Sequence, residues 1–450
     1  MSADRILVIS HGHPELSLGG GEIAAHTQWQ ELRRQGVEAM FLARAGASPG
    51  HAGTPFSARS ADGREMLFHA PPVDHFRHSQ PQRRVVYEDF RALLEEYRPT
   101  AVHFHHYVHL GLELVREVRR YSGDIPIVLT LHEYLGMCHA QGQMRKTSGL
   151  LCQRATPLDC HGCFPQISPQ DFFLRELFVK SFFSLVDRFI CPSQFLRDRY
   201  VAWGLPAERM LVLENGQPPL PSAGGGAHDS APAPEAGAVE APENTRFVVL
   251  GQLSELKGTQ VVLEAARALP KSLRSRVRIE LHGSLPVHDA DFRGRLDDAQ
   301  EALGPLLRYC GPYLPANVDA ILRSADWAIV PSIWWENSPL VIQEAFRAGR
   351  PVICSNVGGM AEKVQHGVNG LHFMVGSPSD LARRIEEAAT VPGLAQRLRC
   401  GIAAPPGVQE TVARLLPVYR GGRSGTDWHG GLRRIAAGAP DRPLAEGARQ

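Results

Sequence analysis

The chain has 450 residues, a formal net charge of +1 at pH 7, and 21% charged residues. This length is enough for two large domains that each bury a core of their own. The near-neutral charge excludes a long-range field that would attract nucleic acid or an anionic membrane surface. We therefore expect no nucleic-acid partner, and local contacts must hold any anionic ligand.

The first half of the chain alternates short apolar runs with helical patterns. The run RILVIS precedes a helix predicted at 20–36, AVHFHH precedes one at 110–121, and RFICPS precedes one at 194–203. This alternation is typical of βαβ units that build a parallel sheet with helices on both faces. We assign residues 1–216 to an N-terminal, Rossmann-like domain.

The N-terminus lacks a basic region followed by an apolar core, and no run of eighteen apolar residues occurs, so we expect a cytoplasmic protein.

A cysteine-rich insertion at residues 138–163 interrupts the N-terminal domain. Cytoplasmic cysteines are more often reduced or metal-bound than paired in disulfides. Four thiolates fit a structural zinc site, with His139 and His161 as substitute ligands; free thiols are the main alternative and a disulfide the lesser one. The four cysteines are Cys138, Cys152, Cys160 and Cys163.

The second half repeats the alternation after a break. Proline, glycine, alanine and serine dominate residues 217–245, which predicts a linker or a long surface loop. A second βα series follows and defines a C-terminal domain at 246–420, and residues 421–450 are predicted to form a disordered tail. The predicted fold class is therefore α/β, with two doubly wound, Rossmann-like domains that face an interdomain cleft.

One stretch of the second half, PSIWWENSPLVIQEAFRAGRPVICSNVGGMAEKV at residues 331–364, concentrates polar side chains at the end of a strand. Ligands of open α/β sheets bind outside the carboxyl ends of the strands. Ser338 is predicted to cap a helix at 338–348, with Pro339 as its first helical residue. The amides and the dipole at this helix N-terminus then favour an anion.

Two glutamates of this stretch, Glu336 and Glu344, lie roughly 8 to 9 Å apart along the helix axis at about 1.5 Å per residue. Carboxylates at both places can accept hydrogen bonds from the hydroxyl groups of an elongated ligand such as a ribose or a hexose. The plain alternative is that Glu336 is a loop charge and Glu344 a solvated helix residue.

The stretch resembles the signature of family 4 glycosyltransferases, retaining enzymes of the GT-B architecture in which two glutamates separated by seven residues bind a nucleotide sugar. The match continues through VGGMAEKV and GVNGLHF. The resemblance implies that Glu344 binds the ribose and Glu336 the donor sugar, and that a nucleoside diphosphate sugar is the donor with no cofactor required for catalysis. The further donor-binding residues that it implies are Gln252, Lys257, Asn337, Ser338, Pro339, Leu340, Gly358 and Gly359.

The segment VLGQLSELKG at residues 249–258 departs from the family pattern at one position. The family commonly has an arginine where this chain has Gln252, whereas Lys257 matches the lysine expected on the diphosphate. A neutral amide donates hydrogen bonds but brings no charge, so stabilisation of the leaving group would depend more on Lys257. Gly358 and Gly359 follow another strand and permit a close backbone approach to the ligand; the alternative is an ordinary turn.

The N-terminal domain offers a glycine-rich loop and several histidines. In the family, a histidine after the strand matching IVLTLH contacts the donor sugar, so His132 joins Glu336 and Lys257 as a catalytic candidate. His105 and His106 are candidates to face the acceptor, although a buried structural role is the common explanation for any one histidine. The candidate cleft loop follows the first strand and consists of Gly19, Gly20, Gly21 and Glu22.

The resemblance implies a retaining hexosyl transfer without an obligatory catalytic metal, to a carbohydrate, lipid-linked or small-molecule acceptor in polysaccharide, glycolipid or glycoconjugate biosynthesis. A nucleotide-sugar epimerase of the same architecture and a non-catalytic nucleotide-sugar-binding protein are the alternatives. The aromatic segment 172–189 could lie on the inner face of a membrane as a weak peripheral contact, but we favour a place in the first core.

Overall fold

The computed structural model describes residues 4–17, 19–46, 54–69, 71–81, 83–218, 244–285 and 290–421. The N-terminal sheet has eight strands in the described residues. In chain order, β1 to β8 are Arg5–Ser10, Glu38–Ala45, Phe56–Ala58, Glu65–His69, Ala101–Phe104, Ile127–Thr130, Arg188–Cys191 and Met210–Val212. Their spatial order is β3-β4-β2-β1-β5-β6-β7-β8, and β3 alone pairs antiparallel.

The C-terminal sheet has six strands in the described residues, and all of its pairings are parallel. In chain order, β9 to β14 are Thr245–Leu250, Val277–His282, Leu307–Gly311, Trp327–Val330, Val352–Ser355 and Gly370–Phe373. Their spatial order is β11-β10-β9-β12-β13-β14. The reversal of strand order beside β9 creates the crevice at which open α/β sheets bind ligands.

Helices connect the strands of both sheets. Those of the N-terminal half, α1 to α6, are Gly20–Arg34, Arg83–Tyr97, Glu113–Tyr121, Pro157–Cys163, Pro169–Phe183 and Gln194–Ala202. Those of the C-terminal half, α7 to α14, are Thr259–Ala268, Ala290–Leu303, Val318–Arg323, Leu340–Arg347, Gly358–Lys363, Pro378–Thr390, Leu394–Arg399 and Val408–Arg420. The predicted fold class, with two Rossmann-like units, is confirmed.

The last helix, α14, lies on the N-terminal sheet although residues 246–420 were assigned to one C-terminal domain. Val412, Leu415 and Tyr419 of α14 belong to the same apolar cluster as Ile6 of β1. The Tyr419 hydroxyl also lies 2.7 Å from Nδ1 of buried His103. The apolar stripe of a helix must be buried against another element, and here one face of β1 and β5 buries it. The chain therefore returns to its first domain.

Other predicted segments fall partly outside the described residues. The predicted linker at 217–245 has four described residues at its two ends, and the predicted tail at 421–450 has one. In α5, Phe182 and Phe183 are buried in the N-terminal core, as favoured above, whereas Phe173 is exposed. No helix in the described part of the chain has the length and apolar content that a membrane span needs.

Candidate active site

The carboxylate of Glu336 is the centre of a polar cluster at the end of β12. Its Oε1 accepts hydrogen bonds from Lys257 Nζ at 2.6 Å, Ser332 Oγ at 2.8 Å and Trp334 Nε1 at 3.1 Å. Glu336 is buried, while the Lys257 side chain is 41% exposed. An ammonium group has three donors, so Lys257 can bind Glu336 and still donate to a phosphate. The structure thus brings together two residues that the sequence assigns to one site.

The helix that follows, α10, begins at Leu340, one residue after the predicted first helical residue, Pro339. Pro339 rather than Ser338 occupies the N-cap position, and no side chain caps the helix. The Ser338 hydroxyl donates to the carboxylate of Glu214 in the N-terminal half, which is a charge-assisted hydrogen bond. The amides of Leu340 and Val341 donate to no described residue, so the helix N-terminus is open to an anion.

Glu344 lies in the second turn of α10, and its carboxylate makes no hydrogen bond to a described residue. Burial raises the pKa of its carboxyl above the ordinary 4.5, and the charge of Arg347 only partly opposes this shift. Burial and the negative charge of Glu344 together raise the pKa of Tyr313 to about 12. A buried carboxylate without a partner is costly, and a ligand's hydroxyl groups would relieve that cost.

The glycine pair of α11 supports the Glu336 loop. Gly358 has φ +60, and a Cβ added to Gly359 would lie 1.4 Å from the carbonyl oxygen of Asn337. The Gly359 amide donates to the Glu336 carbonyl at 2.7 Å. Glycine is therefore required here by the close approach of another protein segment. A contact of these glycines with the ligand stays a prediction.

Asn337 and Trp335 join the two halves of the chain. The Asn337 side chain accepts from Ser193 Oγ at 2.5 Å and donates to the His132 carbonyl at 3.3 Å. The Trp335 indole donates to the Cys152 carbonyl at 3.0 Å. The side chains of Asn337 and Ser338, predicted near the donor, are both used between the domains. Their backbones remain available for that role.

The remaining donor-side prediction, Gln252, is placed at the same strand edge. Its side chain is exposed and makes no hydrogen bond to a described residue. It follows Gly251, which has φ +123. The amide is therefore free to meet a ligand, and its predicted role stays a prediction.

The predicted glycine loop faces the C-terminal half. The helix α1 begins at Gly20 with Gly19 as N-cap. A Cβ added to Gly20 would lie 3.4 Å from Leu340 Cδ1, and one added to Gly21 would lie 3.5 Å from His132. We call the segment 331–344 with Lys257 the C-terminal wall of the cleft. The described residues at and directly after the carboxyl ends of β1, β2, β5 and β6 form the N-terminal wall.

Glu22 folds back onto this glycine loop. Its Oε1 accepts from Ser17 Oγ at 2.9 Å and lies 3.2 Å from His11 Nε2. Burial works to raise the pKa of Glu22, but the hydrogen bond and charge of His11 outweigh burial and lower it. A Cβ on Gly19 would lie 2.3 Å from the Glu22 carboxylate. Gly19 and Glu22 thus fix the loop's shape.

Two buried histidines of the N-terminal wall, His105 and His132, are uncharged at neutral pH. His132 and His105 stack with their ring centres 5.5 Å apart, and His105 Nδ1 lies 3.3 Å from His132 Nε2. Burial, reinforced by His11, lowers the pKa of His132 to about 4, and burial lowers the pKa of His105 well below its usual range. Both rings therefore act as hydrogen-bonding groups.

His106 has the buried structural role that was the alternative to an acceptor contact. The amides of Tyr107 and Val108 both donate to its Nδ1 at 3.0 Å. Nε2 therefore carries the proton and donates to Glu133 Oε1 at 3.0 Å. Both nitrogens are satisfied within the protein, which leaves His106 unavailable to an acceptor.

Glu214 is a site residue that the sequence argument missed. Its carboxylate accepts from Ser338, from Gln343 Nε2 at 2.8 Å, and from Lys363. Burial raises its pKa despite the charge of Lys363. Its place two residues after β8, at the carboxyl edge of the sheet, is the signal that could have found it.

The four cysteines of the insertion do not form a preformed tetrahedral site. Among the described residues, two groups of three potential ligand atoms lie within 4.8 Å of one another, and neither contains a cysteine of 138–163. The four thiols are free. Burial raises the pKa of Cys160 to about 12, and the other three cysteines add to the shift, so all four share one neighbourhood.

Comparison with known proteins identifies the family. The profile for Glycosyltransferase Family 4 matches residues 18–218, and that for Glycosyl transferases group 1 matches residues 236–404. The chain belongs to the family 4 glycosyltransferases. The predicted recognition is confirmed; the first matched segment contains β2 to β8, and the second contains β9 to β14.

Curated family relatives align with less than half of this chain. A D-inositol 3-phosphate glycosyltransferase of Nocardiopsis dassonvillei is 32% identical over 190 residues, covering 40% of this chain and 44% of the relative. The lipopolysaccharide 1,2-N-acetylglucosaminetransferase of Salmonella typhimurium is 28% identical over 201 residues, covering 43% and 50%. The chain thus spans about half the length of the curated relatives it matches.

Solved structures of low sequence identity share the family's GT-B fold. Anabaena HepE in complex with UDP has a TM-score of 0.61 at 17% identity, covering 92% of this chain and 99% of HepE. Sucrose-phosphate synthase from Thermosynechococcus elongatus has a TM-score of 0.63 at 17% identity, covering 97% of this chain and all of that one. The predicted GT-B fold is confirmed.

Proposed function

We propose that the protein transfers a sugar from a nucleoside diphosphate sugar to an acceptor hydroxyl. The observation that carries this proposal is the convergence of Lys257, Glu336 and the open N-terminus of α10 at one place in the cleft. Lys257 and the amides of Leu340 and Val341 bind the diphosphate. Glu344 accepts hydrogen bonds from the ribose, and Glu336 from the sugar.

The reaction breaks the bond between the anomeric carbon and the departing diphosphate oxygen and forms a bond from that carbon to the acceptor oxygen. Negative charge grows on the diphosphate, so fixed positive groups accelerate the step where they bind the leaving group. Lys257 and the α10 amides are such groups, and they can do the work of a divalent cation. We therefore propose chemistry without an obligatory metal.

The transfer is proposed to retain the configuration of the anomeric carbon. The acceptor attacks on the face from which the diphosphate departs, and its proton passes to a departing phosphate oxygen. His132 lies beside Gly21 on the opposite wall and is neutral, so its ring is suited to accept or donate a hydrogen bond at the sugar. Contact between the walls excludes water that would hydrolyse the donor.

The donor panel should begin with uridine nucleotides, because HepE was solved with UDP-glucose. The acceptor is a carbohydrate, a lipid-linked sugar or a small molecule, and we propose a role in polysaccharide, glycolipid or glycoconjugate synthesis inside the cell. The relatives are named as transferases and synthases. Their names favour transfer over epimerisation or mere binding.

The test is nucleoside diphosphate release from a panel of nucleotide sugars, with and without a chelator, while the fate of the sugar is followed. We expect release from one donor that survives chelation and is lost in Lys257→Ala, and that falls sharply in Glu344→Ala at donor concentrations below the wild-type KM. Lys271→Ala, an exposed lysine of the same domain, is the matched control. An isomerised nucleotide sugar without release, or an inverted product, would contradict the proposal or its stereochemistry.

A further inference from the structure

Arg44 lies near the carboxyl end of β2, on the N-terminal wall. The adjacent Ala43 pairs with Ser10, the last residue of β1. Side chains alternate along a strand, so Arg44 shares the face of Leu42. Leu42 belongs to the apolar cluster that includes Leu110, in the loop after β5. The Arg44 side chain therefore leaves the sheet on the side covered by that loop.

The guanidinium of Arg44 has no counter-charge among the described residues. It is half-buried, and it forms no hydrogen bond or ion pair with a described residue. Its Nε is buried without a partner. The seven residues that follow Gly46 are ASPGHAG and contain no acidic side chain. A partly buried cation without a partner is costly, so its retention needs a reason outside the apo protein.

The rings around Arg44 supply no negative charge that would balance it. Burial and the nearby charge of Arg44 lower the pKa of His109 to about 4. His75 packs edge-on against His109 with ring centres 5.5 Å apart. The carboxylate that acts on His109 is Glu22, which His11 and a serine already hold. No free carboxylate among the described residues therefore neutralises Arg44.

One neighbouring strand end carries a further polar atom without a partner. His11 Nδ1 is buried without a hydrogen bond to a described residue, and His11 follows β1, the strand beside β2. His11 and Arg44 both act on His109, whereas Ser10, which pairs with Ala43, lies on the opposite face of the sheet. Buried polar atoms are normally satisfied, so Arg44 Nε and His11 Nδ1 fit a polar ligand at these strand ends.

We propose that the acceptor carries an anionic group, a phosphate or a carboxylate, which Arg44 binds on the N-terminal wall. The inference rests on the proposed glycosyl transfer and names the substrate class of its acceptor side. A guanidinium binds either anion through two parallel hydrogen bonds. Arg44 lies one strand away from the loop that meets Leu340, so the anion would lie beside the donor pocket while an acceptor hydroxyl reaches the C-terminal wall.

The experiment compares glucose, glucose 6-phosphate and glucuronate as acceptor probes, using nucleoside diphosphate release and calorimetric binding. We expect the wild type to favour one anionic probe over glucose. In Arg44→Gln, the KM or Kd for that probe should rise roughly 10- to 100-fold, the usual weight of a charge-assisted hydrogen bond. Arg44→Lys should recover part of the loss. Arg267→Gln, an exposed arginine of the C-terminal domain, is the control for charge and should match the wild type.

The two anionic probes separate a phosphate site from a carboxylate site. Equal use of glucose and both anions, or equal loss for all probes in Arg44→Gln, would overturn the proposal. A selective loss of UDP affinity in Arg44→Gln would instead assign Arg44 to the donor and also overturn it. If the wild type cleaves no donor, the proposed transfer fails, whereas calorimetry with the two anions still decides the role of Arg44.

Discussion

The two walls of the cleft are built in different ways. The C-terminal wall comes mostly from one continuous segment, residues 331–344, with Lys257 added from the loop before α7. The N-terminal wall is assembled from the ends of separate strands, and its buried histidines are neutral because of burial. One wall presents a paired charge to a ligand, and the other presents neutral rings and one unpaired arginine.

This difference matches what each wall must do in the proposed reaction. Many donors carry a diphosphate, so one charged cluster can bind the donor in every turnover. In this cluster Ser332 and Trp334 hold the carboxylate of Glu336 in place. An acceptor varies between related enzymes, and a wall built from several independent loops can change one contact without disturbing the others. The comparison predicts that substitutions in the C-terminal wall lower turnover, while those in the N-terminal wall change which acceptor is used.

The largest expected effect comes from Glu336→Gln in the C-terminal wall. The change keeps the size of the side chain but removes the charge that orients Lys257. We expect kcat to fall roughly 10²- to 10³-fold, the usual loss when one preorganised electrostatic contact is removed. Nucleoside diphosphate release measures the effect. The exposed Glu264→Gln is the control, and a decrease of the same size in both variants would break the proposed contrast.

A smaller effect is expected from Glu344→Gln, because this residue binds ground state and transition state alike. The donor Kd should rise roughly 10- to 100-fold, while kcat at saturation changes little. A 2′-deoxy or 3′-deoxy donor should bind the wild type more weakly. In Glu344→Gln, at least one of these two deoxy donors should bind as tightly as the full donor. If both deoxy donors bind the variant as much more weakly as they bind the wild type, Glu344 does not bind the ribose.

The pH dependence of donor binding sharpens the same assignment. Burial raises the pKa of Glu344 above 4.5 in the free protein, and the ionised form is the better hydrogen-bond acceptor. Lowering the pH through that raised pKa protonates the group, so donor affinity should fall on the acid side and stay level above it. His132 titrates near 4, so it adds no step near neutrality. Calorimetry from about pH 5 to pH 8 should give a flat profile in Glu344→Gln.

The sequence predicts the C-terminal wall better than the N-terminal wall for a physical reason. Strand, loop and helix of residues 331–344 are local, so spacing along the chain already sets the positions of Glu336 and Glu344. The roles of Ser338 and Asn337 could not be predicted, since their partners Glu214 and Ser193 lie more than a hundred residues away. Long-range pairing has no signal in local periodicity.

The N-terminal wall required knowledge of which strands are neighbours. The histidines could be located at strand ends, but a crowded run such as HFHH does not say which ring is free. Both ring nitrogens of His106 form hydrogen bonds, one with two backbone amides and the other with Glu133. One ring nitrogen of His105, in contrast, has no partner among the described residues. Arg44 could not be found from the sequence, because a single arginine in an apolar strand matches no motif. Its role depends on the absence, among the described residues, of a carboxylate close to it in three dimensions.

We propose that the cysteine insertion binds zinc. Of the changes considered, removal of this metal should have the smallest effect on the reaction. The insertion contacts the C-terminal wall where the Cys152 carbonyl accepts a hydrogen bond from the Trp335 indole. Four thiols in one neighbourhood suit zinc, although in this structure no three of them converge within 4.8 Å. A metal that gathers them would stabilise the loop that carries this contact, without entering the reaction.

Elemental analysis of the purified protein should then find about one zinc per chain, the content of a four-cysteine site, and Cys160→Ser with Cys163→Ser should remove it. Unfolding of the zinc-free protein should begin at a lower temperature, because metal-binding energy adds to folding energy. Turnover below that temperature should stay near the wild-type value. The exposed Cys400→Ser is the control. Wild-type protein without zinc, or with stability insensitive to these substitutions, would contradict the zinc site and leave the insertion held by its packing and its hydrogen bonds, such as that to Trp335.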